Sequence, residues 1–342
     1  MIHGDAPDER GPPNSLLGDA MKKALAALLC VLFLLCAATA LAKVRRISIA
    51  TAGTAGALYP MGVAMAETIN LTVKGFKASA EASSGSVENL RNLARGKVDW
   101  GVSQSEVALQ AYKGAGVYQG RGVSGLQSLF GTLIGWVQIF APSDSPLKSV
   151  ADFKGRRIGV GAPGSGGERA AQKILAFYGL AYQDIKPEFM SNPEMVAALK
   201  DGTLDAFIIT HPLRSAVLLD LTTTADVKMI PVDGDGFYKA YPFFTRLEIP
   251  AGTYQGVDQP IATPTSRVVM YTSKKARLSK SSVYKLLKGV WEHRDDWAKV
   301  HPAVERYTTL QAAVEGLNIP LHPGAVKYYQ EKGLKLPAKL IK

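Results

Sequence analysis

Four loops rich in glycine, serine and threonine carry the polar groups that could hold a small ligand. Hydroxyl and amide side chains offer neutral hydrogen-bond donors, and glycine lets the backbone approach a ligand closely. Where such a loop opens a helix, the free N–H groups of the first turn also attract an anion. The candidate ligand-binding residues, with a histidine at the end of a later strand, are Thr51, Gly53, Thr54, Tyr59, Ser84, Gly85, Ser86, Asn89, Gln104, Ser105, Gly164, Ser165, Gly166 and His211.

The four loops share one topological position, between a predicted strand and the helix that follows it. In open parallel sheets, ligands bind beyond the carboxyl ends of the strands, where such loops lie. For any one loop, a helix N-cap or an ordinary glycine turn is the simpler explanation. The shared position of all four favours a ligand-binding cleft.

The fourth loop, residues 161–167, approaches three known motifs without satisfying them. The dinucleotide pattern G-x-G-x-x-G is met from Gly159, but that glycine is expected inside a strand, and the helix is expected well after Gly164. A P-loop requires lysine where the chain has Gly167-Glu168, and a nucleophile elbow requires glycine where it has Pro163. The residues therefore favour binding over nucleotide or acyl chemistry.

His211 follows a strand predicted at 206–210, at the edge of the sheet where a ligand would lie. Core packing or capping explains this residue as well as ligand contact does. If the ring faces the ligand, binding should strengthen as the pH falls through about 6.5. The alternative function is an exported α/β hydrolase that uses Ser165, for which only His211 could serve as the base. No histidine has metal-ligand spacing with a carboxylate, so neither a metal nor another cofactor is expected.

The N-terminal segment has the layout of a secretory signal. Residues 1–20 are polar, and we expect a non-translated or disordered leader there. From Met21, two lysines precede an apolar run and a small-residue ending at Ala42, which predicts a signal peptide over 21–42, cleaved before Lys43. The apolar run is shorter than the ~20 residues of a membrane span. Both cysteines, Cys30 and Cys36, fall inside the predicted signal peptide, so the mature chain is expected to lack thiol chemistry.

The charge balance describes a basic surface without the pattern of a nucleic-acid-binding protein. Without residues 1–42 the chain has 37 Lys and Arg against 25 Asp and Glu, a net charge of +12. These residues are scattered, with no long basic tract and no interleaved aromatics. We expect mild attraction for anionic solutes and no nucleic-acid partner.

Alternating strand and helix patterns predict an α/β fold with largely parallel sheets. Two connecting segments, near residues 142–146 and 259–265, suggest two lobes joined by a double crossover. Lobe 1 would comprise 43–142 and 265–342, and lobe 2 would comprise 143–264. The predicted strands are 46–51, 77–82, 98–102, 126–141, 157–161, 185–190, 206–210 and 267–272, and the predicted helices are 59–73, 86–95, 106–112, 169–178, 194–200, 281–299 and 323–332.

The same loops resemble those of the TAXI family, the solute receptors of tripartite ATP-independent periplasmic (TRAP) transporters. The resemblance extends over essentially the whole mature chain. Its motifs are Ala52-Gly53-Thr54-Ala55-Gly56 with Tyr59-Pro60, Ser84-Gly85-Ser86-Val87-Glu88-Asn89, Gly101-Val102-Ser103-Gln104-Ser105-Glu106, Asp152–Arg156 with Gly164-Ser165-Gly166, Asp201-Gly202 with Asp205-Ala206-Phe207, and Ile319–Ala325.

The resemblance implies a two-lobe, type II periplasmic-binding-protein fold with the ligand cleft between the lobes. It also implies a dicarboxylate, 2-oxo acid or acidic amino acid as ligand, and an integral-membrane TRAP transporter that uses an ion gradient. Departures from the family pattern occur at Ala52, Leu58, Gly167-Glu168 and Thr210-His211. An acidic Glu168 would repel an anion if it faced the cleft, so these departures bear on the ligand rather than on the architecture.

The sequence therefore predicts a periplasmic solute-binding receptor without catalysis, for a small anion or zwitterion. Lys and Arg are absent from the four loops, so a carboxylate would be held mainly by neutral donors. A receptor for signalling rather than transport would have the same features.

Overall fold

The computed structural model describes Met1 and residues 21–25, 44–232 and 234–341. The chain divides into two compact units, Met1–Arg45 and Arg46–Lys342. In the first unit, residues 21–25 are helical. The predicted cleavage site before Lys43, with most of the predicted signal peptide, lies outside the described residues. None of the described helices combines the length and the apolarity that crossing a bilayer requires.

In the second unit, two long antiparallel strands carry the sheet from one lobe to the other. β4 (Leu126–Pro142) and β10 (Ile261–Ser273) pair from Ser273↔Leu126 to Thr265↔Trp136. These two strands lie at the centre of the sheet. The strand order is β2 (Phe76–Glu81), β1 (Arg45–Ala50), β3 (Trp100–Gln104), β10, β4, β7 (Ala206–His211), β5 (Arg157–Gly159) and β6 (Lys186–Glu188), with β8 (Val227–Met229) beside β4 and β9 (Thr245–Ile249) beside β10. β1 and β3 are parallel, as are β7, β5 and β6. The carboxyl ends of both parallel sets are therefore available for a shared cleft.

The first lobe is built on the Leu126 end of β4 and the Ser273 end of β10. Its core contains residues from near both ends of the second unit, from Ile47 to Leu340, and includes the fully buried Trp100 and Phe130. Burial of each such side chain contributes roughly 1.5–3 kcal/mol. The other elements of this lobe are β1 (Arg45–Ala50), α1 (Leu58–Thr72), β2 (Phe76–Glu81), α2 (Ser86–Arg95), β3 (Trp100–Gln104), α3 (Ser105–Lys113), α8 (Lys280–Glu292), α9 (Arg294–Ala298), α10 (Pro302–Tyr307) and α11 (Pro323–Glu331).

The second lobe uses the other ends of the same two strands. Alternate residues of β4 enter opposite faces of the sheet, so Ile139 packs in one core and Phe140 in another. The elements that cover these faces or extend the sheet are β5 (Arg157–Gly159), α4 (Gly166–Phe177), β6 (Lys186–Glu188), α5 (Asn192–Lys200), β7 (Ala206–His211), α6 (Ala216–Thr224), β8 (Val227–Met229), α7 (Asp235–Ala240) and β9 (Thr245–Ile249).

Most predicted elements are confirmed, and the differences have local causes. The third strand lies at Trp100–Gln104 rather than 98–102, and it runs directly into α3, so the predicted third loop is absent. α4 begins at Gly166, only two residues after Gly164, so the helix-distance argument against a dinucleotide site was wrong. Gly159 does lie inside β5. The sequence analysis missed α6, α7, α10, β8 and β9, which are all nine residues or shorter.

Candidate functional site

A cavity of about 380 Å³ lies between the two sets of strand ends. It is bordered by the loops that follow β1, β2, β5 and β6, by the ends of β3 and β7, and by the middle of β4. Ten of the predicted residues line it, namely Thr51, Gly53, Thr54, Ser84, Gly85, Ser86, Gln104, Ser165, Gly166 and His211.

The first loop delivers an uncapped helix end to this cavity. Gly53 and Thr54 are exposed, and α1 begins at Leu58 without any side-chain cap. The free N–H groups of this 15-residue helix create a partial positive charge at the cavity. The Thr51 hydroxyl, by contrast, donates to the backbone oxygen of Glu81 (2.8 Å). Thr51 therefore anchors the loop to β2 and its hydroxyl is not a free ligand donor.

Asn89, predicted to contact the ligand, is instead a structural residue. It is fully buried, lies outside the cavity lining and donates from Nδ2 to the backbone oxygens of Thr51 (2.6 Å) and Val102 (2.8 Å). One turn into α2, its side chain points toward the backbone of Thr51 and β3 rather than into the cavity. Asn89 thus fixes the first loop against β3.

Three further predicted residues, Tyr59, Ser105 and Gly164, also lie outside the cavity lining. Tyr59 follows Leu58 in α1, and a step of one helical residue turns its side chain about 100° away from the lining position. Ser105 is the buried first residue of α3. Gly164 has a φ of 74°, a turn conformation that suits glycine, and it borders a neighbouring groove.

Gln104 reaches across from the first lobe to the second. A Cβ on Gly166 would lie 2.5 Å from Gln104 Cδ, so only glycine leaves room for this amide. With the amide oriented to satisfy both its ends, Nε2 donates to the backbone oxygen of Gly166 (3.2 Å) and to Glu106 Oε1 (2.5 Å). The Gln104 backbone N–H donates to Ser86 Oγ (3.0 Å). The contact between the Gln104 side chain and Gly166 joins the two sides of the cavity.

Ser165 has the capping role that its position before a helix predicts. Its Oγ accepts the N–H of Glu168 (3.0 Å), which leaves the hydroxyl proton available to a ligand. Glu168 is buried outside the cavity lining, forms an ion pair with Arg169 and accepts from Tyr182 Oη (3.0 Å). The anticipated repulsion between Glu168 and an anionic ligand is therefore absent from this geometry.

His211 lines the cavity but is buried, with 7% of its surface exposed. Burial lowers its pKa to about 4, because a cationic ring would lose its hydration; the charge of His301 acts in the same direction. Burial therefore disfavours the cationic ring that stronger binding below about pH 6.5 would require, and that conditional expectation stays a prediction. Its Nδ1 has no hydrogen-bond partner among the described residues.

The cavity offers hydrogen-bond donors and no charged side chain. Its described lining contains no Lys, Arg, Asp or Glu. Thr54 and Thr210 have hydroxyls without a hydrogen bond among the described residues, and the hydroxyls of Ser86 and Ser165 accept one bond but donate none. Such a donor set can surround a compact anion.

The sequence analysis missed two groups of lining residues. Ser191, Asn192 and Pro193 open α5 after β6, the same position that singled out the other loops, and their capping-box sequence was a usable signal. Thr210 is the penultimate residue of β7 and gave no such signal. In the part of the chain that the structure describes, no group of His, Cys, Asp or Glu could hold a metal ion.

Two lobes, two crossing strands and a cleft at the strand ends define an α/β periplasmic-binding-protein-like fold. The model of the NMT1-like family matches residues 49–333, and the chain belongs to the NMT1-like family.

Individual relatives are more distant. Over 81 residues the chain is 35% identical to the "Putative aliphatic sulfonates-binding protein" of Escherichia coli (strain K12), a segment that covers 24% of this chain and 25% of that protein. The chain thus spans about a quarter of the curated relative.

The crystal structure of the periplasmic aliphatic sulphonate binding protein of Escherichia coli has a TM-score of 0.42 at 15% identity, over 84% of this chain and 83% of that one. The "Putative L-Cystine ABC transporter" of Listeria monocytogenes has a TM-score of 0.47 at 18% identity, over 75% and 94%. The fold assignment rests on the sheet topology and the family match.

Proposed function

We propose that this chain is a periplasmic solute-binding receptor that delivers a small carboxylate-bearing solute to a TRAP-type membrane transporter. The solute would be a dicarboxylate, a 2-oxo acid or an acidic amino acid. The observation that carries the proposal is the cavity between the lobes, whose described lining has free hydroxyl donors and no charged side chain. In this reading, residues 43–142 with 265–342 and residues 143–264 are the two lobes that enclose the solute.

Neutral donors can bind an anion strongly when several converge on it. A hydrogen bond to an ionised acceptor is roughly twice as strong as one between neutral groups. The hydroxyls of Thr54, Ser86, Ser165 and Thr210 and the open end of α1 supply such donors from both lobes. A volume of about 380 Å³ suits a compact solute, since ligand pockets start at roughly 300 Å³.

The headgroup could also be a sulfonate, which the name of the Escherichia coli relative suggests. Carboxylate and sulfonate are both compact anions that accept several hydrogen bonds. We favour the carboxylate because the loop motifs around Thr54, Ser84 and Gln104 resemble those of TAXI receptors. The same resemblance supports a transporter driven by an ion gradient, whereas the similar protein of Listeria monocytogenes is named as an ABC transporter.

The hydrolase alternative finds little support in the cavity. Ser165 Oγ is occupied as the acceptor of a helix cap. His211, the candidate base, has a pKa of about 4 because it is buried, which makes it a weak base at neutral pH. We therefore propose binding without turnover.

A thermal-shift titration tests the proposal. We expect dicarboxylates, 2-oxo acids or acidic amino acids to raise the melting temperature, since a ligand at 100 times its dissociation constant adds about 2.7 kcal/mol. Aliphatic sulfonates and neutral sugars form the comparison sets. A shift only with sulfonates would replace the carboxylate assignment, and a shift only with sugars or apolar compounds would exclude an anion receptor.

A variant that fills the cavity tests whether the ligand binds there. A Cβ on Gly53 would meet nothing within 4 Å, and Gly53 lines the cavity with an ordinary backbone conformation. Gly53→Trp should therefore fold and lose the ligand-induced shift. An unchanged shift in this variant would place the ligand elsewhere.

A further inference from the structure

A second and larger cavity, a groove of about 910 Å³, borders the ligand cavity and is lined by arginines from both lobes. Arg91 and Arg95 lie on α2, and Arg121 lies on the segment between α3 and β4. Arg169 lies on α4 in the second lobe. We call this feature the arginine groove.

The described lining of the arginine groove carries more positive than negative charge. Arg91, Arg95 and Arg121 are exposed and make no ion pair among the described residues. Arg169 pairs with Glu168, and its Nε is buried without a partner. The one acidic residue in the described lining, Glu88, accepts from the backbone N–H (2.8 Å) and the hydroxyl (2.7 Å) of Ser84. These hydrogen bonds lower the pKa of Glu88, so the carboxylate stays ionised and offsets one of the four arginine charges.

The floor of the groove is a direct contact between the lobes. The Val87 N–H donates to the backbone oxygen of Gly164 (3.1 Å), and Tyr118 Oη donates to the backbone oxygen of Val87 (3.2 Å). Burial raises the pKa of Tyr118, whereas the charges of Arg91 and Arg169 act in the opposite direction, so guanidinium groups from both lobes lie within electrostatic range of this phenol. The groove is complete only when the lobes meet as they do here.

We infer that the arginine groove is a second anion-binding site, separate from the solute cavity, for a small molecule that carries at least two phosphate or carboxylate groups. Guanidinium groups bind both anions in a bidentate fashion, and four of them around one concave surface suit a polyanion better than a single charge. Ser84 lines both cavities, so the two sites are adjacent. The site itself is independent of the proposed solute.

Calorimetric titration with pyrophosphate and with citrate tests this site at low ionic strength. We expect one molecule bound per chain. Its affinity should fall at least tenfold when the ionic strength rises from about 0.01 to 0.15 M, because salt then screens the arginine charges. The two titrants distinguish phosphate from carboxylate recognition, and binding of either one supports the site. Absence of binding by both would overturn the inference.

The decisive variant is Arg91→Gln with Arg95→Gln, which removes two charges from α2 and leaves the solute cavity intact. Pyrophosphate or citrate affinity should fall at least tenfold. The matched control, Arg46→Gln with Lys285→Gln, removes two exposed charges elsewhere on the first lobe and should stay within twofold of the wild type. Equal losses in both pairs would mean nonspecific attraction to a basic protein and would refute the site.

The cavity-filling Gly53→Trp variant separates this inference from the proposed function. Because Gly53 does not line the groove, the variant should keep its affinity for pyrophosphate or citrate while it loses solute binding. Loss of polyanion binding in Gly53→Trp would place the polyanion in the solute cavity and overturn the second site.

Discussion

At the residue scale, Glu106 is a fully buried carboxyl group of the first lobe. It is fully buried directly behind Gln104, and its Oε2 has no partner among the described residues. Burial raises its pKa to about 7, although the charge of Lys173 and a hydrogen bond from Ser266 act in the opposite direction. Burial also lowers the pKa of Lys173, which approaches from α4 of the second lobe. Glu106 therefore holds a proton near neutral pH that it would release in the unfolded chain.

This proton makes stability depend on pH in a defined direction. Between about pH 4.5 and 7 the folded chain keeps the Glu106 proton and the unfolded chain does not, so this group's contribution falls as the pH rises. The loss is on the order of 3 kcal/mol by pH 7, because each pKa unit corresponds to about 1.4 kcal/mol. Glu106→Gln removes this term. We expect the variant to gain unfolding free energy relative to wild type as the pH rises from 5 to 7.

Denaturant unfolding of both proteins across that range measures the difference. His211 has an opposite effect, since its lowered pKa costs stability as the pH falls below about 6.5, but it is present in both proteins and cancels. Parallel pH profiles for wild type and Glu106→Gln would show that the carboxyl is ionised in the folded chain.

At the element scale, the sequence predicted helices well where a chemical signal marks their ends. α2 was predicted at its observed bounds, because Gly96 adopts the left-handed conformation that ends it. The boundary between β3 and α3 was predicted at the wrong residues, because Gln104 joins the two elements without any turn residue. Loop composition located most of the cavity lining. It could not show that Asn89 and Tyr59 point elsewhere, since that direction depends on how each helix packs.

The start of α4 gives a prediction in which two effects of one hydroxyl are separated. Ser165 caps α4 by accepting from Glu168 N–H, and Ser279 caps α8 in the same way by accepting from Ser282 N–H (3.0 Å). Replacing either by Ala should cost about 1 kcal/mol of stability. Only Ser165 lines the solute cavity, so only Ser165→Ala should also weaken solute binding, by roughly 0.5–1.5 kcal/mol.

Calorimetric titration of the solute found by thermal shift, combined with denaturant unfolding, measures both quantities. Equal solute affinity in Ser165→Ala and Ser279→Ala would exclude the Ser165 hydroxyl as a ligand donor. A hydrolytic activity abolished by Ser165→Ala would instead favour the enzyme alternative.

At the scale of the whole molecule, the positive charge lies outside the described lining of the solute cavity. The chain without residues 1–42 has a net charge of +12, yet the described lining of the solute cavity has no charged side chain. The arginine groove brings positive charge to the border of that cavity. In the proposed function, long-range attraction would act on an anion before it arrives, whereas short-range neutral donors would hold it afterwards.

This separation predicts how salt affects the kinetics of solute binding. Raising the ionic strength from about 0.01 to 0.15 M shortens the screening length from roughly 30 to 8 Å, so association should slow several-fold. Dissociation should change less than twofold, because the contacts that break are uncharged on the protein side. Stopped-flow measurement of the two rate constants checks this.

Arg91→Gln with Arg95→Gln should reduce the salt dependence of association, and the Arg46→Gln, Lys285→Gln control should reduce it less, because its charges lie outside the described lining of both cavities. If salt mainly accelerates dissociation, a charged side chain contacts the bound solute, and the neutral-donor site is wrong.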